Sequence, residues 1–186
     1  MKIGKVDVAL SKRGRGFNVG GPADAVALLV ATGLGSGFAP VAPGTFGSLV
    51  GLLIAYGLVE LLKFEVLLLQ NSILGVSAAL TAAGVWAAAR AERIFERKDA
   101  GQIVIDEVCG QLISFAFIAP YLVKLGGGWR WALLVGFVLF RAFDILKPYP
   151  LRLLEGLGGG LGVMADDVLA GLYVAVALSF LLLVLT

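Results

Sequence analysis

Five apolar runs, each near the length that crosses a hydrocarbon layer, restrict this chain's fold more than any other feature. They run from about Phe46 to Leu62, Ser72 to Ala89, Val108 to Val123, Trp131 to Leu146 and Val168 to Leu185. A helix rises about 1.5 Å per residue, so roughly 20 apolar residues cover a hydrocarbon core of about 30 Å. The chain has 186 residues, 59% hydrophobic and 15% charged, whereas an ordinary soluble domain carries about 25% charge. The expected fold class is therefore all-α, a polytopic membrane helix bundle of about five spans. A further apolar stretch, Ala25 to Leu34, is short and runs into Gly33-Leu34-Gly35-Ser36-Gly37, which reads as an N-terminal half-span or interfacial helix.

Residues 1–21 are basic and polar, with Lys2, Lys5, Lys12, Arg13 and Arg15, and no apolar core in them leads to a small-residue cleavage site. They read as a cytoplasmic segment rather than a signal peptide. Residues 22–186 then make a single membrane-embedded domain. With five spans and a cytoplasmic N-terminus, the inner segments hold those five cations together with Arg90, Arg93, Arg97, Lys98, Lys147 and Arg152. The outer loops hold only Lys63, Lys124 and Arg130. This excess on one side favours the N-terminus inside and the C-terminus outside.

Two absences narrow the chemistry. The chain has no histidine, which removes a His nucleophile, a Ser-His dyad and a His-ligated metal. Its single cysteine, Cys109, lies in an apolar run and reads as packing. The formal net charge of +2 leaves no electrostatic footprint for nucleic acid.

Three acidic clusters adjoin apolar runs, where an unpaired carboxylate costs several kcal/mol. Asp99, Asp106 and Glu107 precede or open span three. Arg141, Asp144 and Lys147 close span four, and Asp166-Asp167 open span five. Under the topology above, all three reach the cytoplasmic side, as does the glycine- and proline-rich stretch Gly33 to Ser48. Each also has a plainer reading. Asp106 and Glu107 point about 100° apart on a helix, so one can cap or solvate. Asp166 or Asp167 can cap a helix N-terminus, and Arg141 with Asp144 has the spacing of a structural ion pair. The glycine-rich stretch can offer converging N–H groups to an anion, with Thr45 or Ser48 adding hydroxyls. Equally, it can serve as a helix break and close contact, Gly47 and Gly51 being spaced as a small-xxx-small pair.

Carboxylates without imidazole or thiolate suit Mg²⁺, a hard ion that takes oxygen ligands. Joined by Arg, Lys and backbone donors, they are the components of phosphoryl-ester chemistry. The alternative from another class is an ion- or proton-coupled transporter, in which membrane acids relay ions along a broken segment.

Four stretches resemble one family, the phosphatidylglycerophosphatase A family of bacterial lipid phosphatases. They are Gly35-Ser36-Gly37 through Ala42-Pro43-Gly44-Thr45 with Gly47-Ser48; Ile105-Asp106-Glu107-Val108 with Gly110; Phe140-Arg141 through Phe143-Asp144-Ile145 to Lys147-Pro148 and Pro150; and Gly159-Gly160 through Met164 to Asp166-Asp167-Val168 with Ala170-Gly171. The likeness covers about Thr32 to Gly171, with departures at Ala100 and Gln102, where the family commonly has Pro and Glu. It implies an all-helical fold and Mg²⁺-dependent removal of the terminal phosphate of phosphatidylglycerophosphate, a phospholipid with a phosphorylated glycerol headgroup. With the residue reading it assigns catalysis to Asp106, Glu107, Asp144, Asp166 and Asp167, and metal binding to Asp99, Asp106, Glu107, Asp166 and Asp167. Substrate binding falls to Gly35, Ser36, Gly37, Gly44, Thr45, Ser48, Arg141 and Lys147. The expected location is the inner membrane, with the site facing the cytoplasm.

Overall fold

The computed structural model describes residues 19–154 and 157–186. Most of the basic segment expected at 1–21 therefore lies outside the described residues. Among those described, every regular element is helical: α1 (Pro22–Ala31), α2 (Pro43–Leu62), α3 (Val66–Phe95), α4 (Ile105–Ile113), α5 (Ala119–Leu125), α6 (Trp129–Leu146), α7 (Leu151–Leu154) and α8 (Gly159–Leu185), with short 3₁₀ turns at Ser36–Phe38 and Gly126–Gly128. Prolines mark three of the starts, α1, α2 and α5, where a missing N–H and a fixed φ cost a helix nothing.

Three helices, α2, α3 and α8, are long and apolar enough to cross a membrane. Length and composition alone thus single out three of the expected crossings. The run from Trp131 to Leu146 forms α6, which carries Arg130, Arg141 and Asp144. The short stretch Ala25 to Leu34 contributes the ten-residue α1. The outer surface is apolar, with Leu53, Leu61, Leu67, Val138, Val176 and Phe180 all exposed. Such a surface suits lipid rather than water.

The expected span from Val108 to Val123 is not one helix. It divides into α4 and α5, with turns between them. Ser114 Oγ donates back to the Gly110 carbonyl at 2.9 Å, and the N–H groups of Phe115 and Ala116 turn to the carbonyls of Leu112 and Ile113. Pro120 has no N–H to continue the ladder and instead starts α5. The freed Ala116 carbonyl accepts a hydrogen bond from Gln70 Nε2 of α3. Hydropathy does not register these backbone events, because the run stays apolar across the break.

The division leaves α4, about 14 Å long, as the central element. All its residues except Glu107 are buried, and α2, α3, α6 and α8 surround it. Small residues allow this approach. A Cβ on Gly51 of α2 would lie 2.5 Å from the Val108 carbonyl oxygen, and one on Gly110 would lie 2.5 Å from that of Asp167 in α8. These contacts bring backbones together as small-residue seams do in membrane bundles.

Polar anchors tie the two ends. At one, Glu60 pairs with Lys63 at 2.7 Å and with Arg130 at 3.0 Å. Arg130 and Lys63 lie over the Trp129 ring, which also packs against Tyr56. At the other, Arg90 Nε donates to Asp24 Oδ1 at 2.6 Å and pins α1 to α3. That hydrogen bond, with another from the Gly20 N–H, holds the Asp24 carboxyl below its usual 3.8. A depressed carboxyl stabilises the fold above its unfolded value, so this pin persists until the pH falls through the lowered one.

Candidate active site

The acid clusters meet because of how α4 is seated. Its first turn carries Asp106 and Glu107, and α8 crosses it at the Gly110–Asp167 contact. Asp106, Glu107 and Asp167 thereby each present a carboxylate oxygen within 4.8 Å of the others. They line a cavity of about 510 Å³ together with Pro43 and Gly44 at the start of α2, Lys98, Asp99, Gly101 and Ile103 before α4, Asp144 and Lys147 at the end of α6, and Gly162, Val163 and Asp166 of α8.

Gly44 is needed where it stands. A Cβ there would collide with Glu107 Oε1 and come 3.4 Å from Arg141 Nη1. Glu107 and Arg141 therefore share the space that this glycine leaves open.

The cations are held firmly. Arg141 Nη1 contacts Asp144 Oδ2 at 2.6 Å and donates to Ser48 Oγ at 3.1 Å. Ser48 in turn donates to the Gly44 carbonyl at 3.0 Å. Lys147 occupies the left-handed C-cap of α6 with φ 43°, and its Nζ contacts Asp166 Oδ2 at 2.6 Å. Arginine's fork suits such multiple contacts in a way lysine's point charge does not.

Several polar atoms of the site are buried and have no hydrogen-bond partner among the described residues: Asp106 Oδ1, Glu107 Oε2 and Arg141 Nε. Buried polar atoms are nearly always satisfied, and unpaired carboxylate oxygens are the costliest kind to leave. Three carboxylates turned toward one another repel unless a cation lies between them or one of them holds a proton. The donor set is all oxygen, as hard divalent ions prefer, and it can hold a metal ion.

Of the residues expected from the sequence, Gly44, Asp99, Asp106, Glu107, Asp144, Lys147, Asp166 and Asp167 line this one cavity. Asp99 and Asp166 are outside the close group of three. The Asp99 N–H meets Glu92 Oε1 at 2.8 Å, while the Asp166 carboxylate meets Lys147. Arg141 and Ser48 support the wall from behind. Gly35, Ser36, Gly37 and Thr45 do not line the cavity. Gly37 is packed against the Gln102 backbone, Ser36 Oγ donates to the Thr32 carbonyl at 3.3 Å, and the Thr45 N–H closes a turn on Ala42. Their stretch thus supplies turn geometry and close packing. Lys98, which the sequence reading counts among the inner cations without assigning it to the site, also lines the cavity.

Comparison with known proteins places this arrangement. The family model for phosphatidylglycerophosphatase A matches residues 29–182. The chain belongs to the phosphatidylglycerophosphatase A family. A Haemophilus influenzae protein named phosphatidylglycerophosphatase A is 38% identical over 80% of this chain and 83% of its own length. An Escherichia coli protein of the same name is 34% identical over 82% and 81%. A Bacteroides thetaiotaomicron protein, provisionally named phosphatidylinositol-3-phosphatase, is 42% identical over 78% and 87%. No solved structure matches. Family membership makes the chain an enzyme, a phosphoric monoester hydrolase with a phospholipid substrate, and decides against the transporter.

Proposed function

We propose that the cavity hydrolyses the terminal phosphomonoester of phosphatidylglycerophosphate, giving phosphatidylglycerol and phosphate, with Mg²⁺ held by Asp106, Glu107 and Asp167. The observation that carries this reading is the meeting of three carboxylates from two helices, with unpartnered buried oxygens, on a wall shared with Lys147. Asp106, Glu107 and Asp167 would hold the ion, which would supply Lewis-acid polarisation of a phosphoryl oxygen and a lowered pKa for a water. The chain's own groups do the rest. Arg141 and Lys147, steadied by Asp144, Ser48 and Asp166, are the cations that receive phosphate oxygens. A carboxylate of the cluster takes the proton of the attacking water. Buried walls of Ile103 and Val163 limit bulk water.

The names of the relatives share a chemistry. Phosphatidylglycerophosphate and a phosphatidylinositol 3-phosphate both carry a phosphomonoester and a phosphodiester joined through a polyol. The first is the substrate proposed here, since it is the one in the family's name.

The test is phosphate release from phosphatidylglycerophosphate by purified protein in detergent, with Mg²⁺ or with a chelator. We expect release to need the metal, and Asp106→Asn to lose at least about 100-fold, the upper end of what even an outer partner costs at a metal site. Metal-independent release, or full activity in Asp106→Asn, overturns the reading.

We also place the chain in the inner membrane as about five crossings, with the α4–α5 pair as one broken crossing and the site facing the cytoplasm. The excess of cations on the inner segments supports this. In a Cys109→Ala background, Arg97→Cys is expected to react with an impermeant maleimide only after the cytoplasmic face is opened, and Lys124→Cys before. The reverse order refutes this orientation.

A further inference from the structure

Three cations line or support the cavity wall near the carboxylates, and two of them are already engaged. Arg141 is paired with Asp144 and Lys147 with Asp166, each at 2.6 Å. Lys98, in the loop between α3 and α4, lines the same cavity and is exposed, with no ion pair or hydrogen bond to another described residue. It enters from the loop that also brings Asp99 and Gly101, whereas Arg141 and Lys147 come from α6 and the residue that caps it. The cavity that holds the three carboxylates thus draws its cations from two separate chain segments, the α3–α4 loop and the end of α6. The substrate proposed above has a second anion, the phosphodiester, one glycerol away.

We propose that Lys98 is a specificity-determining residue that binds the phosphodiester of the headgroup, while the carboxylate centre and the α6 cations take the phosphomonoester. This deepens the functional reading above and rests on it. The two anions explain why an enzyme that already holds Arg141 and Lys147 keeps a third cation, exposed and lining the same cavity. Being exposed and carried on a long unbranched stem, the Lys98 ammonium can follow a headgroup whose glycerol has several rotamers. Its contribution is one charge-assisted contact, on the order of tenfold in affinity, or about 1.4 kcal/mol.

The test compares the unaltered protein with Lys98→Gln and Lys98→Arg in mixed micelles. For Lys98→Gln we expect KM for phosphatidylglycerophosphate to rise about tenfold with kcat within twofold. Hydrolysis of phosphatidic acid, which has a phosphomonoester and no phosphodiester, stays as it is in the unaltered protein, and Lys98→Arg recovers most of the loss. Equal losses on both lipids, or an unchanged KM, overturn the proposal. A second arm needs no catalysis: calorimetric binding of dioctanoyl phosphatidylglycerol, which keeps only the phosphodiester, weakens about tenfold in Lys98→Gln. Equal binding by both proteins, or none by the unaltered one, overturns the role of Lys98 even if no hydrolysis is seen. Absence of hydrolysis with the binding difference intact counts against the phosphatase reading and leaves the anion site standing.

Discussion

Asp167→Asn is expected to give a folded protein, at least as heat-stable as the unaltered one in metal-free buffer, whose phosphatase activity with saturating Mg²⁺ is lower by at least about 100-fold. The two effects share one cause. Asp167 is buried within 4.8 Å of Asp106 and Glu107, so in the absence of a cation three carboxylates oppose one another, and an amide of the same shape relieves part of that repulsion. The same substitution removes one oxygen anion from the set that draws a metal in. Sites tuned for chemistry commonly cost stability in this way. A thermal melt separates the terms. Mg²⁺ at about 100 times its dissociation constant adds about 2.7 kcal/mol to the folded state, which in a chain of this size raises Tm by roughly 5–10 °C. Asp167→Asn should lose most of that rise while keeping its metal-free Tm. A lower metal-free Tm with an intact Mg²⁺ response would make Asp167 a structural acid and remove it from the centre.

Gly110→Val is expected to do the opposite, unfolding first and losing activity as a result. Its Cβ would lie 2.5 Å from the Asp167 carbonyl oxygen and 2.6 Å from Phe140 Cε2. The nearer obstacle is backbone, so relief requires α4 and α8 to separate. Overpacking of this kind costs typically 1–3 kcal/mol, and more where the backbone must move, so Tm should fall by at least roughly 6 °C. Because the displaced carbonyl belongs to Asp167 itself, a shift of about 1 Å there is also enough to cost on the order of 100-fold in rate. Gly75→Ala is the control: nothing stands within 4 Å of its added Cβ, and alanine favours a helix. A Gly110→Val protein that melts with the control would show that α4 and α8 are not held in close contact.

The fold class and the acids were legible because both follow from one cost. An apolar run must be covered by lipid or protein, and a carboxylate beside it must be given a partner, so Asp106 and Asp167 stand out before any coordinates are known. The break at Ser114 to Ile118 was not legible, since its cause is hydrogen bonding within a stretch that hydropathy scores as uniform. Nor could spacing distinguish Asp166 from Asp167. Adjacent helix positions differ by about 100°, and only the packing of α8 turns one toward Lys147 and the other toward Glu107. The glycine-rich stretch was open to two readings, and the atoms around Gly37 and Gly44 show why. Glycine there removes a Cβ from a crowded place, in one case beside the Gln102 carbonyl and in the other beside Glu107. A sequence marks both alike.

The cluster of Tyr56, Glu60, Lys63, Trp129 and Arg130 has a bearing on turnover that its distance from the cavity conceals. It grips the far end of α2, and the near end of that helix is the wall made by Pro43 and Gly44. Twenty residues of helix make a strut of about 30 Å. With α2 crossing as proposed above, this strut would set the depth of the reaction centre against the phosphate plane, and the acyl-chain length of the host lipids would become a mechanical control on how easily a headgroup is reached.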